Sequence, residues 1–334
     1  MKDSIKKIKS FILSNWLFLL LFIFIIVITI VKLPYDVEMP GGTIDLGDRV
    51  YVDGKKMDID GTFNMAYVSV VEGSIPYIIM GALLPDWDVV PQSDMMYDNE
   101  TSDQALRRDK LYLEQSIDYA TVTAMDAAKI PYTINSIENN ITYISKEART
   151  SLEYGDKILT INGEKLTDYN VISDLIQKVD VGDTIKFEVL RDGKKANAKA
   201  KVYEEKGKHY IGVQVITTLD FTSDVDVKIE TKAAESGPSG GMMMALMVYN
   251  ALTKQDLTKG RTIVGTGTIS LDGKVGEIGG VKYKLMGAVN ADADIFLVPK
   301  GNYEEAMDAK EEKGYDIEIV EVDTLQDAID YLED

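Results

Sequence analysis

Residues 235–253 read ESGPSGGMMMALMVYNALT. Gly237-Pro238-Ser239-Gly240-Gly241 sets a hydroxyl on a sharp turn. The Met/Ala/Leu run after it predicts a buried helix whose first N–H groups lack intrahelical partners and face that turn. Such an arrangement can present a nucleophile beside an oxyanion site. Serine, glycine and proline also gather in ordinary loops that lead into helices, so a second signal is needed. It lies downstream, where Gly267-Thr268-Ile269 leads toward Gly276-Glu277-Ile278-Gly279-Gly280-Val281-Lys282-Tyr283-Lys284-Leu285.

A serine hydroxyl is a poor nucleophile until a neighbouring base takes its proton, and an amine serves if burial lowers its pKa from about 10.4 toward neutrality. Lys284 is the candidate. A glycine-rich turn feeds it into a second helix with apolar Leu285, Met286, Ala288 and Val289, so its stem can be buried. Lys282, at the same turn, reads as a solvated charge.

The segments around Ser239, Thr266 and Lys284 resemble the proteolytic domain of Lon-type serine peptidases, which use a Ser-Lys dyad. In that family's pattern the serine lies in a Pro-Ser-Ala-Gly turn, and the base is the second lysine of a Gly-Gly-x-Lys-x-Lys turn. The resemblance implies Ser239 as nucleophile, Lys284 as general base and Thr266 as a supporting group that orients the lysine. Backbone N–H groups at Ser239 and Gly237 would hold the oxyanion. Gly240 departs from the usual alanine, and Ser236 stands where cytosolic members carry an acidic residue. The resemblance covers about Tyr210 to the C-terminus.

With 334 residues, 45% apolar and 27% charged, the chain can bury a sizeable core in more than one domain. It has no cysteine, which excludes a disulfide framework, a thiolate nucleophile and a zinc-thiolate site. Its one histidine, His209, lies in a Lys-Gly-Lys-His-Tyr turn and reads as a solvated loop residue. A net charge of −19 argues against a nucleic-acid partner. No phosphate-binding Gly-x-x-x-x-Gly-Lys-Ser/Thr loop occurs, since Gly267 to Lys274 has the wrong spacing and is followed by Val275. The expectation is therefore activity without ATP, cofactor or metal.

At the N-terminus Lys2, Lys6, Lys7 and Lys9 precede an apolar run from Trp16 to Val31, extended upstream by Phe11 to Leu13. Together these match the ~20 residues that span a bilayer. No small-x-small cleavage pattern follows, so the run predicts an uncleaved signal anchor. Lysines before it and Asp36 and Glu38 after it predict a cytoplasmic N-terminus, with the chain outside from about Pro34 onward.

Thr43 to Val71 alternate in short apolar pieces that predict strands. Ile75 to Trp87 is too interrupted to span a membrane and reads as a buried helix, Gln92 to Ser102 as a loop. Asp103 is the expected cap of a helix with Leu106, Leu111, Leu113, Ile117 and Ala120, running to Lys129. From about residue 130 to 205, Leu152-Glu153-Tyr154-Gly155-Asp156-Lys157-Ile158-Leu159-Thr160-Ile161-Asn162-Gly163 is followed by a short helix with Val171, Ile172, Leu175, Ile176 and Val179 on one face. Ile185, Phe187 and Val189 then alternate, turn at Asp192-Gly193 and return from Ala196 to Val202. This stretch resembles a PDZ domain, in which a peptide adds as a strand. The glycine-rich carboxylate loop is not evident near Asn135 to Ile144.

The expected class is α+β, in four parts. Residues 1–33 hold the cytoplasmic stub and transmembrane anchor, and 34–129 hold extracytoplasmic strands and helices packing on the protease. A PDZ-like small β-barrel-type domain occupies 130–205 and a Lon-type proteolytic domain 206–334. The whole order resembles the membrane-anchored PDZ-Lon serine peptidases of Gram-positive bacteria. That resemblance implies cleavage of extracytoplasmic peptides or proteins and a homo-oligomeric ring, a hexamer being the form it suggests. The competing expectation is an inactive surface peptide-binding module or scaffold.

Overall fold

The computed structural model describes residues 12–98, 100–166 and 171–334. Lys2, Lys6, Lys7, Lys9 and Phe11, which carry part of the anchor expectation, lie outside them. The chain divides into a smaller unit, residues 1–40 with 68–95, and a larger one, residues 41–67 with 96–334.

In the smaller unit the apolar run forms helix Trp16–Ile30, with none of its residues buried. Its one hydroxyl, Thr29, donates to the carbonyls of Ile25 and Ile26 and so is satisfied within the helix. Fifteen residues span about 22 Å at ~1.5 Å each. Among the described residues no helix is long and apolar enough to cross a membrane. Strand Lys32–Asp45 follows, and its Tyr35–Glu38 stretch pairs antiparallel with Asp88–Pro91.

The expected buried helix exists as Ile75–Leu83, opened by Pro76, but Gly81 is its only buried residue. The expectation of burial fails for a geometric reason. Only the glycine side turns to Val37 and Val89, and a nine-residue helix with apolar groups all round cannot bury them all in so small a unit. Gln92–Met95, expected as loop, makes a helical turn.

The larger unit is mixed α+β. A parallel sheet runs in the order Glu318–Val322, Ile295–Pro299, Thr262–Gly265, then the start of strand Thr62–Ser74. Parallel neighbours need crossover helices, and Val281–Asn290 and Tyr303–Lys313 supply them. Ile295–Pro299 is buried at every residue, as a central parallel strand covered on both faces must be. Alternate side chains feed two cores. Ile263, Ile295 and Leu297 join helices Gly241–Thr253, Ser102–Ala127 and Leu325–Glu333 on one face. Val264, Phe296 and Val298 meet Val281, Leu285, Ala288 and Ala306 on the other.

The helix Ser102–Ala127 starts two residues ahead of expectation. Thr101, not Asp103, caps it through a reciprocal box with Gln104.

A second, antiparallel sheet runs Val213–Ser223, Tyr132–Ile144, Lys157–Ile161, Thr184–Arg191, Lys194–Lys201. The expected hairpin turns through Asp192 and Gly193, both at positive φ. Ile172 and Ile176 of helix Val171–Gln177 pack with Ile185, Phe187 and Val189 beneath it. This sheet extends past the boundary expected at residue 205. Strand Val213–Ser223 pairs along its whole length with Tyr132–Ile144 and packs on helix Ser102–Ala127. His209 lies in strand Lys208–Tyr210 rather than in a loop, its backbone N–H and C=O bonded to the Gln177 amide at 3.1 and 2.7 Å.

Candidate active site

Helix Gly241–Thr253 is buried from Gly241 through Ala251, which fixes the turn before it against the core. Gly237 is at φ +86, a conformation glycine adopts without a Cβ penalty. A Cβ on Gly241 would lie 3.0 Å from the Ile269 backbone nitrogen and 2.7 Å from Ser116 Oγ, so the helix start needs a glycine for close approach.

Four residues from distant chain segments, Asp109, Ser116, Lys110 and Arg49, brace this turn. The Gly237 N–H donates to the Asp109 carbonyl at 2.8 Å, and Ser116 Oγ donates to the Pro238 carbonyl at 3.1 Å. Lys110 Nζ donates to the carbonyls of Ala233 and Glu235. Arg49 pairs with the Glu235 carboxylate at 3.2 Å. Gly237 is therefore a structural support, and its N–H is not free for an oxyanion as expected, because Asp109 already occupies it. Among the described residues, the N–H groups of Ser239 and Gly240 have no protein acceptor. Both lie at the helix start.

The Ser239 carbonyl accepts the Gly267 N–H at 2.8 Å and Thr266 Oγ1–H at 3.0 Å. The Gly267 carbonyl in turn accepts the Met242 N–H at 3.1 Å. Thr266 is fully buried. Its hydroxyl proton thus goes to the serine backbone, which leaves its oxygen lone pairs to receive an N–H from an amine.

Lys284 sits in the first turn of helix Val281–Asn290 and is 3% exposed. That helix packs on strand Thr262–Gly265, whose next residue is Thr266. Burial lowers the Lys284 pKa to about 8, while the carboxylate of Glu305 pulls it back upward. Lys282 is exposed, its ammonium 4.7 Å from the Tyr283 ring centroid. The structure thus joins Ser239 to Thr266 directly. The helix of Lys284 packs on the strand that ends one residue before Thr266, and among the described residues no hydrogen bond joins Lys284 to Ser239.

Two groups at this site had no sequence signal. Asn302 is buried; its side chain accepts the Ile278 N–H at 2.9 Å and donates to the Ile278 carbonyl at 3.0 Å. It clamps the glycine-rich turn that aims the lysine helix. Glu305, three residues on, sets the field at Lys284. Ser236 is exposed and offers no acidic substitute. A Cβ on Gly240 would approach Met65 Sδ at 2.6 Å, the end of a flexible side chain, so alanine there asks only for a small shift.

Residues 153–332 match the family described as the Lon protease (S16) C-terminal proteolytic domain. Among curated proteins, the chain is 27% identical over 203 residues to the Lon protease of Campylobacter jejuni, covering 59% of this chain and 24% of that protein. It is 36% identical over 98 residues to the Lon protease of Mesomycoplasma hyopneumoniae, 29% of this chain and 11% of that one. The chain therefore spans 11% to 24% of the length of these relatives. Among solved structures, the PDZ domain of the SdrC-like protein from Listeria monocytogenes matches 25% of this chain and 93% of its own. The identity there is 22% and the TM-score 0.24.

Proposed function

Because the chain belongs to the Lon protease (S16) C-terminal proteolytic domain family, we propose that it is a serine endopeptidase in which Ser239 is the nucleophile and Lys284 the general base. The observation that carries the reading is the burial of Lys284, which holds its pKa at about 8. A lysine inside an apolar core costs stability unless its neutral form is used.

In the proposed reaction, neutral Lys284 takes the Ser239 Oγ proton as the oxygen bonds to the scissile carbonyl carbon. The oxyanion is held by the Ser239 and Gly240 N–H groups, an effect commonly worth ~3 kcal/mol per donor. Lys284 then gives its proton to the leaving amine as the C–N bond breaks. A water, deprotonated by neutral Lys284, then attacks the acyl ester, and the lysine returns that proton to Ser239 Oγ as the ester C–O bond breaks. Thr266 accepts an N–H of Lys284 and ties its aim to the serine backbone.

The reading extends to a protein anchored in a cell membrane by Trp16–Ile30, acting outside the cytoplasm without ATP, with the PDZ-like sheet recruiting peptide substrates. Support for the anchor is that all fifteen residues of that helix lie outside any core. Burying each such side chain is worth about 1.5–3 kcal/mol, so lipid is the favoured surrounding. A ring of protomers belongs to the same reading.

The test incubates the full chain, in lipid nanodiscs and without ATP, with a pool of unstructured peptides, beside Ser239→Ala, with products read by mass spectrometry. Cleavage by the parent alone supports the reading. Equal product patterns from both chains, or none from either, would move the binding-module alternative ahead.

A further inference from the structure

The smaller unit carries a second apolar element that the anchor does not account for. Helix Ile75–Leu83 buries only Gly81. Opposite that glycine, Ile75, Ile79 and Leu83 recur at i, i+4 and i+8 and so form one stripe. Their exposures are 36%, 53% and 75%, and Tyr77, Met80 and Leu84 widen the patch. No charged residue occurs from Gly73 to Pro85. At ~1.5 Å per residue the helix spans about 14 Å, far short of a bilayer.

Three observations say what covers it. The helix touches Trp16–Ile30, whose own surface is apolar on every side. An ion pair between Lys32 and Glu72, 3.6 Å apart, ties a residue two places beyond the first helix to one three places before the second. The start of Ile75–Leu83 therefore lies level with the point where the first helix leaves its apolar surroundings. Trp87 follows a turn later, its N–H on the Leu84 carbonyl at 3.3 Å, and tryptophan favours the boundary between hydrocarbon and water.

We propose that helix Ile75–Leu83 lies in the plane of the bilayer surface, its Ile75–Ile79–Leu83 stripe in the lipid, as a second membrane contact beside the anchor. The proposal rests on the anchor reading given above. The flanking charges are Glu72, Asp86 and Asp88, so the contact is apolar rather than electrostatic. It holds on zwitterionic lipid and is insensitive to salt. Its consequence is positional, since two contacts restrict tilt where a single helix would swivel.

The chain lacks cysteine, so single labels can be placed cleanly. Phe22→Cys, Leu83→Cys and Glu312→Cys, each in the full chain in phosphatidylcholine nanodiscs, are spin-labelled and probed with oxygen and a water-soluble nickel chelate. The expected result is a label at 83 several-fold less accessible to nickel than the label at 312, and shallower than the label at 22. A label at 22 in lipid with one at 83 as nickel-accessible as that at 312 overturns this proposal and leaves the anchor standing. Nickel access at 22 itself defeats the anchor and the proposal with it. Dipolar broadening at 83 that grows with protein density places a second copy of the chain there and also overturns it.

Discussion

Glu305→Gln offers the sharpest test of the general base. The carboxylate of Glu305 raises the pKa of Lys284 against the burial that lowers it. Removing that charge while keeping the side chain's shape lets the pKa fall further. Only the neutral amine accepts the serine proton, so kcat/KM must climb with pH through the folded pKa of Lys284, then level off. With a pKa of about 8, roughly one lysine in ten is neutral at pH 7, against about one in three thousand at the ordinary lysine value of 10.5. Burial thus supplies about a 300-fold gain in competent enzyme. Replacing Glu305 moves the rising limb toward acid, so the variant gains on the parent at pH 6 to 7 and matches it at pH 9 and above. The assay is hydrolysis of a quenched fluorogenic peptide from pH 5.5 to 10, with substrate far below KM. A limb that stays in place in Glu305→Gln, or a parent limb centred near 10.5, refutes the assignment.

The same burial has an energetic side. Because the folded pKa lies below the unfolded one, the folded chain binds fewer protons between about pH 8 and 10.5, so stability rises with pH across that window and is lower by a constant amount beneath it. Lys284→Met should therefore abolish turnover yet raise Tm at pH 7, with the gain over the parent shrinking by pH 10 in parallel thermal melts. Ser116→Ala removes one of the two hydrogen bonds on the Pro238 carbonyl; it should cost about 1 kcal/mol in denaturant unfolding and lower kcat more than it raises KM. Gly240→Ala should retain peptidase activity, whereas Gly241→Ala, facing backbone at Ile269, should lose both activity and a cooperative melt.

The serine turn and the lysine turn were legible because each is local. A glycine at positive φ, a helix start and an apolar face are all written within a dozen residues. The hairpin at Asp192-Gly193 and the alternation of Ile185, Phe187 and Val189 were legible for the same reason. What escaped was written across distance. Ser116 and Pro238 are 122 residues apart, and nothing in an amphipathic helix says which of its polar residues will meet a loop from elsewhere. Asn302 gave no signal because its role is defined only once strand Ile295–Pro299 carries it to Ile278. Ile75–Leu83 was misjudged because apolar composition signals avoidance of water, and says nothing about whether protein or another medium provides the shelter.

Helix Ser102–Ala127 serves two masters. One flank braces the serine turn through Asp109, Lys110 and Ser116. Another holds strand Val213–Ser223, with Gln115 on the Thr217 carbonyl and Asp118 on the Leu219 N–H, both at 2.8 Å. It also lies outside the residues matched to the family, 153–332. The piece that can be excised and grafted is therefore larger than the piece that sequence similarity marks. Recombination that moves residues 206–334 as a self-contained protease would carry off the outer strand of the neighbouring sheet, leave Tyr132–Ile144 with a raw edge prone to mispairing, and abandon the prop behind the serine.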